Sequence, residues 1–160
     1  MTILHQKTCN PTLTSFDENC RQCARLTEFL DTVRIQYPAY HAKPVPAFGD
    51  LSAKLLIIGL APGMHGANRT GRPFTGDFAG ILLYQTLHKF GLASHNESIS
   101  VNDDLRLRNC RITNAVKCLP PANKPQPREV RQCNAYLSAE LADFTAHGGQ
   151  GVLALGNVAH

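Results

Sequence analysis

Apolar side chains recur at helical spacing in three segments of the chain. The first segment, residues 20–37, follows Asn19, a residue type that favours the N-cap position, and predicts a helix. The second begins after Asp77, which we interpret as an N-cap, and ends just before Gly91. The third opens at Pro127, a residue suited to the first helical turn. The apolar positions of the three helices are Cys23, Leu26, Phe29, Leu30, Val33 and Tyr37; Ile81, Leu82, Tyr84 and Leu87; and Val130, Cys133, Leu137, Leu141 and Phe144.

Three short apolar runs without helical spacing alternate with these helices. Residues 54–60 form a continuous run bounded by loop signals, which is typical of a strand buried on both faces. Residues 109–116 and 151–156 predict two further strands. Because strands alternate with helices, the connections are expected to be right-handed crossovers within a parallel sheet. We therefore predict a single-domain α/β fold, a three-layer sandwich whose mainly parallel central sheet is covered by helices on both faces.

The loops that follow the strands are the expected location of a functional site. In open parallel sheets, ligands bind at the carboxyl ends of the strands. Residues 61–76 and 117–126 are two such loops, and a third begins after Gly156. Asn157 resembles an N-cap whose helix is missing, so we expect a fragment that lacks the last strand and helix of its fold. Residues 1–18 are polar and without periodicity and are interpreted as a loose arm.

Length and composition limit the possible classes of protein. A chain of 160 residues with 43% hydrophobic and 18% charged residues is an ordinary globular domain. The first ten residues contain no hydrophobic signal core, and the longest apolar run is too short to span a bilayer. The net charge of +4 is a mild preference for anionic partners. We expect a soluble, cytoplasmic monomer with no membrane contact.

Six cysteines in a chain without an export signal indicate metal binding or reactive thiols rather than disulfides. Cys20 and Cys23 form a Cys-x-x-Cys pair, and Cys118 and Cys133 bracket a Pro-rich loop. Four thiolates can hold either a tetrahedral zinc or a [4Fe–4S] cluster, and neither is excluded by the spacing. Cys23 and Cys133 taken alone would be interpreted as core residues of their helices. The two remaining cysteines are interpreted as a core residue and a free thiol, Cys110 and Cys9.

The loop that opens after the first strand is rich in glycine and carries candidate ligand-binding residues. Residues 59–77 contain neither a Walker A sequence nor Gly-x-Gly-x-x-Gly, so a phosphate loop is not supported. Arg69 and Arg72 add charge suited to phosphate. Phe74 is interpreted either as a loop residue packed on the sheet or as a stacking surface for a base.

Two segments resemble a known family. Residues 59–63 (Gly-Leu-Ala-Pro-Gly) with residues 65–77 (His-Gly-Ala-Asn-Arg-Thr-Gly-Arg-Pro-Phe-Thr-Gly-Asp) form the first, and residues 113–121 (Thr-Asn-Ala-Val-Lys-Cys-Leu-Pro-Pro) the second. Together with the cysteine placement they are similar to the uracil-DNA glycosylase superfamily, in particular its iron–sulfur branch, family 5 or type b. The resemblance extends over residues 20–160.

The resemblance implies a set of site residues. Phe74 would stack on an extruded base, Asn114 would read the base edge, and the backbone of Leu60 and Ala61 would form the pocket wall. A structural [4Fe–4S] cluster, with zinc as the alternative, would be held by four cysteines: Cys20, Cys23, Cys118 and Cys133. DNA contacts are expected from four cations near the site loops: Arg69, Arg72, Lys117 and Lys124.

The chemistry implied by the resemblance suits these residue types. A glycosylase extrudes its nucleotide and holds the base by stacking and edge hydrogen bonds. Asn114 offers both a donor and an acceptor to a uracil edge. Ala61 stands where other branches place an acidic or amide residue, so His65 and Asn68 become the candidates for orienting water.

We expect the protein to remove uracil and other deaminated bases from damaged double- or single-stranded DNA. The expected location is the nucleoid. The family's His-Pro-Ser segment has no counterpart here, and His160 lies in the wrong context to replace it. We therefore expect weak activity at best from these 160 residues. The alternative is a non-enzymatic iron–sulfur or zinc module that binds nucleic acid.

Overall fold

A central β-sheet with helices on both faces organises the chain. The structure is a computed structural model that describes residues 15–156. The strands are β1 (Phe48–Gly49), β2 (Leu55–Gly59), β3 (Cys110–Asn114) and β4 (Gly151–Ala154). The helices are α1 (Ala24–Gln36), α2 (Ala67–Thr70), α3 (Phe78–Lys89) and α4 (Pro127–Ala146), with a 3₁₀ turn at Pro121–Asn123. Within residues 15–156, none of the helices combines the length and apolar character that a bilayer crossing requires.

The sheet is mainly parallel and has the strand order β1-β3-β2-β4. Strand β2 pairs in parallel with β3 on one side and with β4 on the other. The register places Gly59 opposite Asn114, at the carboxyl ends of β2 and β3. Strand β1 is antiparallel to β3 and was not predicted, because two residues are too few to show a pattern. Val152 and Leu153 on the edge strand β4 are 52% and 45% exposed.

Alternation along β2 divides the core between two faces of the sheet. Ile57 points to one face, where it packs with Tyr84 and Leu87 of α3. Leu56 and Ile58 point to the other, where they pack with Leu137 and Phe144 of α4. The third cluster joins α1 to α4 and to the residues that follow β3: Leu26, Leu30, Val33, Val116, Leu119 and Tyr136 are among its members. The predicted three-layer α/β arrangement is confirmed.

The start of α1 differs from the sequence prediction. The helix begins at Ala24 rather than Cys20, and Asn19 is not its N-cap. Asp17 instead organises a turn, accepting the backbone N–H groups of Asn19 (2.8 Å, at Oδ1) and Cys20 (3.1 Å, at the carbonyl). The turn leaves the Cys-x-x-Cys pair before the helix, with Cys23 in extended backbone at the N-cap position.

The other helices largely follow the prediction. Asp77 caps α3 by accepting the Gly80 N–H at 2.9 Å, and α4 begins at Pro127. The buried face of α3 was predicted partly wrongly, because Ile81 and Leu82 are 50% and 70% exposed. The short helix α2 lies inside the predicted Gly-rich loop. Three residues of the sequence interpretation lie outside the described part of the chain: Cys9, Asn157 and His160.

Candidate active site

A pocket of about 680 Å³ opens where β2 and β3 end. Its walls come from the Gly-rich loop, from α3 and from the end of β4. Among the residues that line it are four that the sequence analysis selected: Leu60, Ala61, Phe74 and Asn114. Most of the remaining lining is apolar, including Leu82 and Leu83 of α3. The pocket therefore combines an apolar wall with a few polar groups, the usual composition of a small-ligand site.

Phe74 and Asn114 meet at Gly59. A Cβ atom built on Gly59 would lie 2.6 Å from Phe74 Cζ and 2.5 Å from Asn114 Oδ1. Asn114 is 3% exposed, and the ring of Phe74 is half-buried. A glycine at position 59 thus allows an aromatic ring and a carboxamide to share one end of the pocket. This arrangement can stack on a planar base and hydrogen-bond its edge.

Asp77 is a pocket residue as well as a helix cap. Its Oδ1 accepts the Gly80 N–H, while its Oδ2 lies against Gly66 and 3.6 Å from where a Cβ of Gly63 would stand. Among residues 15–156 it is the one titratable side chain that lines the pocket. Sequence reasoning assigned Asp77 to capping alone and missed this second position. The signal was available, since a capping carboxylate commits one oxygen and leaves the other free.

The two candidates for orienting water do not line the pocket. His65 is exposed, and its Nδ1 is 2.8 Å from the hydroxyl of Tyr40. Asn68 is fully buried and its Nδ2 donates to the Met64 carbonyl at 3.4 Å. Within residues 15–156, the Oδ1 of Asn68 has no hydrogen-bond partner. The pocket is therefore lined by the Asp77 carboxylate and not by His65 or Asn68.

Two of the four expected DNA contacts are buried, which contradicts that prediction for them. Arg72 is 5% exposed and its guanidinium pairs with Asp103 at 2.6 Å. Lys117 is 1% exposed and its Nζ lies 2.7 Å from a carboxylate oxygen of Glu140. Both cations are neutralised inside the protein and do not reach phosphate.

The other two expected DNA contacts are exposed. Arg69 lies on α2, and its Nε donates to the His65 carbonyl at 2.7 Å, which stabilises the Gly-rich loop. Lys124 lies in the Pro-rich loop, and its backbone carbonyl accepts a hydrogen bond from Arg25 at 3.2 Å. Both side chains therefore lie at the surface, Arg69 in the Gly-rich loop and Lys124 in the Pro-rich loop.

The four cysteines of the predicted metal site line one small cavity between the start of α1, the residues after β3, and α4. Burial raises the pKa of the Cys118 thiol, and the neighbouring thiols raise it further. Burial likewise raises the pKa of Cys133, although the backbone N–H of Lys117 donates to its sulfur at 3.2 Å. Burial raises the pKa of Cys23 as well. A positively charged metal core would neutralise the thiolates of the four cysteines that line the cavity.

Zinc and a [4Fe–4S] cluster place different demands on their four thiolates. Among residues 15–156, no set of three or more His, Cys, Asp or Glu side chains is close enough together to hold one metal ion. A tetrahedral zinc with ~2.3 Å bonds draws its sulfurs to about 3.8 Å from one another. In a [4Fe–4S] cluster each thiolate binds a different iron, so the sulfurs stand further apart. The four thiols that line the cavity are the donor set that a [4Fe–4S] cluster uses.

An ion pair between Arg25 and Glu129 joins two of the elements that form this cavity. Glu129 of α4 is 2% exposed and accepts two hydrogen bonds from Arg25 of α1, at 2.8 and 2.7 Å. Burial would raise the pKa of Glu129, but the Arg25 guanidinium and the Gln126 backbone N–H outweigh it and lower the pKa. Helix α1, which follows Cys23, and helix α4, which contains Cys133, are thus joined by an ion pair that does not depend on a metal.

Comparisons with known proteins show which proteins the chain is similar to. The chain is 50% identical to a type-5 uracil-DNA glycosylase of Thermus thermophilus over 127 residues, which is 76% of this chain and 58% of that protein. It is 42% identical to a type-5 enzyme of Pyrobaculum aerophilum over 145 residues, 88% of this chain and 63% of the relative. A type-4 uracil-DNA glycosylase of Archaeoglobus fulgidus is 37% identical over 98 residues, 61% of this chain and 42% of that relative. The chain thus spans less than two thirds of the length of these relatives.

A family model matches the larger part of the chain. The model of the uracil DNA glycosylase superfamily matches residues 46–160, which include β2, β3 and every pocket residue described above. On that match and on the identities to the type-5 enzymes, the chain belongs to the uracil-DNA glycosylase superfamily.

Proposed function

We propose that the chain acts as a DNA repair glycosylase that hydrolyses the N-glycosidic bond of uracil and leaves an abasic site. The proposal depends on one observation, the meeting of the Phe74 ring and the Asn114 carboxamide at Gly59. A base rotated out of the duplex would stack on the ring and pair its edge with the carboxamide. Other deaminated bases are included in the proposal, because Ala61 presents no polar side chain that would select against them.

Asn114 would supply the interactions that strengthen as the bond breaks. Its Oδ1 can accept from the N3–H of uracil, and its Nδ2 can donate to a ring carbonyl. When the C1′–N1 bond breaks, the electron pair leaves with the base, and a donor at that carbonyl stabilises the anion. One such donor in comparable oxyanion sites contributes about 3–4 kcal/mol. Because Asn114 is buried beside an apolar wall, the hydrogen bonds would form away from competing water.

Asp77 is the group we assign to the sugar side of the reaction. Asp77 lines the pocket and its Oδ2 is not used in capping, so this oxygen can orient the water that attacks C1′ and accept a proton from it. The same negative charge would stabilise the positive charge that develops on the sugar. This assignment replaces His65 and Asn68, which do not line the pocket.

The iron–sulfur cluster is part of the proposal, with a structural role. Cys20, Cys23, Cys118 and Cys133 would hold it, and when bound it supplies a covalent link between the start of α1, the Pro-rich loop and α4. Since Cys118 lies only four residues after Asn114, this link would steady the loop that leaves the pocket. Arg69 and Lys124 are the proposed phosphate contacts, because both are exposed.

The test is base release from a defined substrate. The chain, and the complete gene product if the coding region continues past residue 160, is incubated with a uracil-containing duplex, and abasic sites are counted after alkaline cleavage. We expect cleavage that Asn114→Ala reduces about 10²- to 10³-fold, as for loss of one oxyanion donor. Asn134→Ala, on the exposed face of α4, is the matched control and should leave the rate unchanged. Salt-dependent DNA binding without base release would instead support the non-enzymatic binding module.

A further inference from the structure

Phe74, the proposed stacking residue, has a backbone conformation that a non-glycine residue rarely adopts. Its φ angle is +54°, in the left-handed region. Its carbonyl group points to α3 at Gly80, where a Cβ atom would collide with the Phe74 oxygen. An unfavourable conformation of this kind persists only where the surrounding structure enforces it.

The residues on both sides of Phe74 are each fixed by buried groups. The Pro73 carbonyl accepts a hydrogen bond from the hydroxyl of Tyr84 at 2.9 Å, and Tyr84 is fully buried. Burial raises the pKa of Tyr84 to about 12, so the hydroxyl keeps its proton and remains a donor at neutral pH. On the other side, the Thr75 hydroxyl lies 2.7 Å from the hydroxyl of Ser98.

Arg72 connects the residues beside Phe74 to a loop that is distant in sequence, residues 98–105. Its guanidinium donates to Asp103 at 2.6 Å, to Ser98 at 3.1 Å and to the Val101 carbonyl at 3.0 Å. The same group lies 4.4 Å from the centre of the Phe48 ring, a cation–π contact. The guanidinium, with the Arg72 side chain only 5% exposed, is therefore surrounded mainly by protein groups.

Asp103 in turn shapes the loop that receives Arg72. Its Oδ2 accepts the backbone N–H groups of Ile99 (2.7 Å) and Ser100 (3.1 Å), and its Oδ1 accepts that of Leu105 at 3.2 Å. The ion pair is thus the centre of a network that extends from residues 98–105 to residues on both sides of Phe74. No atom of this network belongs to the set of groups proposed to touch the base.

We propose that Arg72 and Asp103 are positioning residues, whose ion pair holds residues 72–75 in the conformation that places the Phe74 ring beside Asn114. The expected effect on catalysis rests on the proposed function. The position of the Phe74 ring beside Asn114 can be tested on this chain without any assay of activity. It gives Arg72 a role different from the phosphate contact that the sequence suggested.

The structural claim is tested by NMR on the protein labelled at Phe and Asn. Wild-type protein should show nuclear Overhauser effects between the Phe74 ring and the side-chain amide of Asn114. Asp103→Asn should remove them while the protein remains folded. Asp31→Asn, which breaks the exposed ion pairs of Asp31 with Arg21 and Arg34, is the matched control and should retain them. Should Asp103→Asn fail to fold, Ser98→Ala removes the hydroxyl between Arg72 and Thr75 without changing a charge, and weakened effects are again expected.

The catalytic consequence is tested by a double-mutant cycle on uracil release. Asp103→Asn should lower the single-turnover rate by about 10- to 100-fold, the effect of a misplacement of ~1 Å, and leave DNA binding unchanged. In a Phe74→Ala background the same change should cost less than about threefold, because the residue it positions is gone. Equal losses in both backgrounds, or intact Phe74–Asn114 contacts in Asp103→Asn, would overturn the proposal. If wild-type protein releases no uracil, the proposed function fails while the NMR experiment still decides the structural claim.

Discussion

Replacing Gly59 by alanine is the most direct perturbation of the site. Gly59 ends β2, its φ is not in the positive region, and its carbonyl accepts the Ala115 N–H at 2.8 Å. An alanine backbone therefore fits the strand without strain. Its Cβ, however, would lie 2.5 Å from Asn114 Oδ1 and 2.6 Å from Phe74 Cζ, where ordinary contacts are 3.4–4 Å. The carboxamide and the ring must each withdraw by about 1 Å to reach ordinary contact.

The size of the effect follows from that displacement. A misplacement of ~1 Å in a catalytic site can cost about 10²-fold in rate, or about 2.7 kcal/mol of transition-state stabilisation. Overpacking a well-packed site by one methyl group costs about 1–3 kcal/mol of folding stability. We therefore expect Gly59→Ala to remain folded, to melt a few degrees lower and to release uracil about 10²-fold more slowly.

The assay is single-turnover uracil release at saturating enzyme, with thermal unfolding of the same samples. Gly151→Ala is the matched control, since it adds the same methyl group to β4, where its Cβ would lie 3.8 Å from Leu55 Cδ1, an ordinary contact. It should change neither rate nor melting temperature appreciably. A folded Gly59→Ala protein that releases uracil at the wild-type rate would show that the Phe74–Asn114 arrangement is not the site of chemistry.

Three further predictions concern the metal site and the buried charges. Cys118→Ser should lower the iron content and soluble yield and remove the visible absorption, whereas Cys110→Ser, a buried thiol outside the cavity, should retain the iron. Lys117→Met should cost about 3–5 kcal/mol in urea unfolding by leaving Glu140 unpaired, and adding Glu140→Gln should recover much of this loss. Burial would raise the pKa of Asp103, but Arg72 and three backbone amides outweigh it and lower the pKa to about 2. The unfolded carboxyl titrates near ~3.9, so about 2 kcal/mol of stability should be present above pH ~4 and be lost as the pH falls towards 2; unfolding of Asp103→Asn should lack this loss.

The elements and their order could be predicted from the sequence because the core obeys simple periodicities. The strand at residues 55–59, the capping by Asp77 and the start of α4 at Pro127 all follow from local patterns. The buried face of α3 could not be predicted fully. Leu82 is 70% exposed and lines the pocket, so its apolar side chain does not pack in the core. A hydrophobic pattern does not distinguish these two uses.

The burial of Arg72 and Lys117 could not be predicted from the sequence either. Arg72 and Lys117 lie beside site loops, and a charge near such a loop is ordinarily expected to face solvent and anions. Their partners, Asp103 and Glu140, stand 31 and 23 residues away, and only the folded chain brings them together. Burial of a charge is therefore a property of tertiary structure that local sequence does not reveal.

The register of β3 explains how one strand serves both the scaffold and the site. Successive side chains of a strand point to opposite faces, so Thr113 and Asn114 must serve different layers. Thr113 points to the α4 side, where its hydroxyl donates to Glu140 at 2.7 Å and accepts from Lys117. Asn114 points to the α3 side, where Gly59 leaves room for it beside Phe74. A slip of one residue would exchange the two, placing a hydroxyl in the pocket and a carboxamide against Glu140. The parallel pairing of Gly59 with Asn114 is thus the feature of the fold on which the proposed chemistry depends.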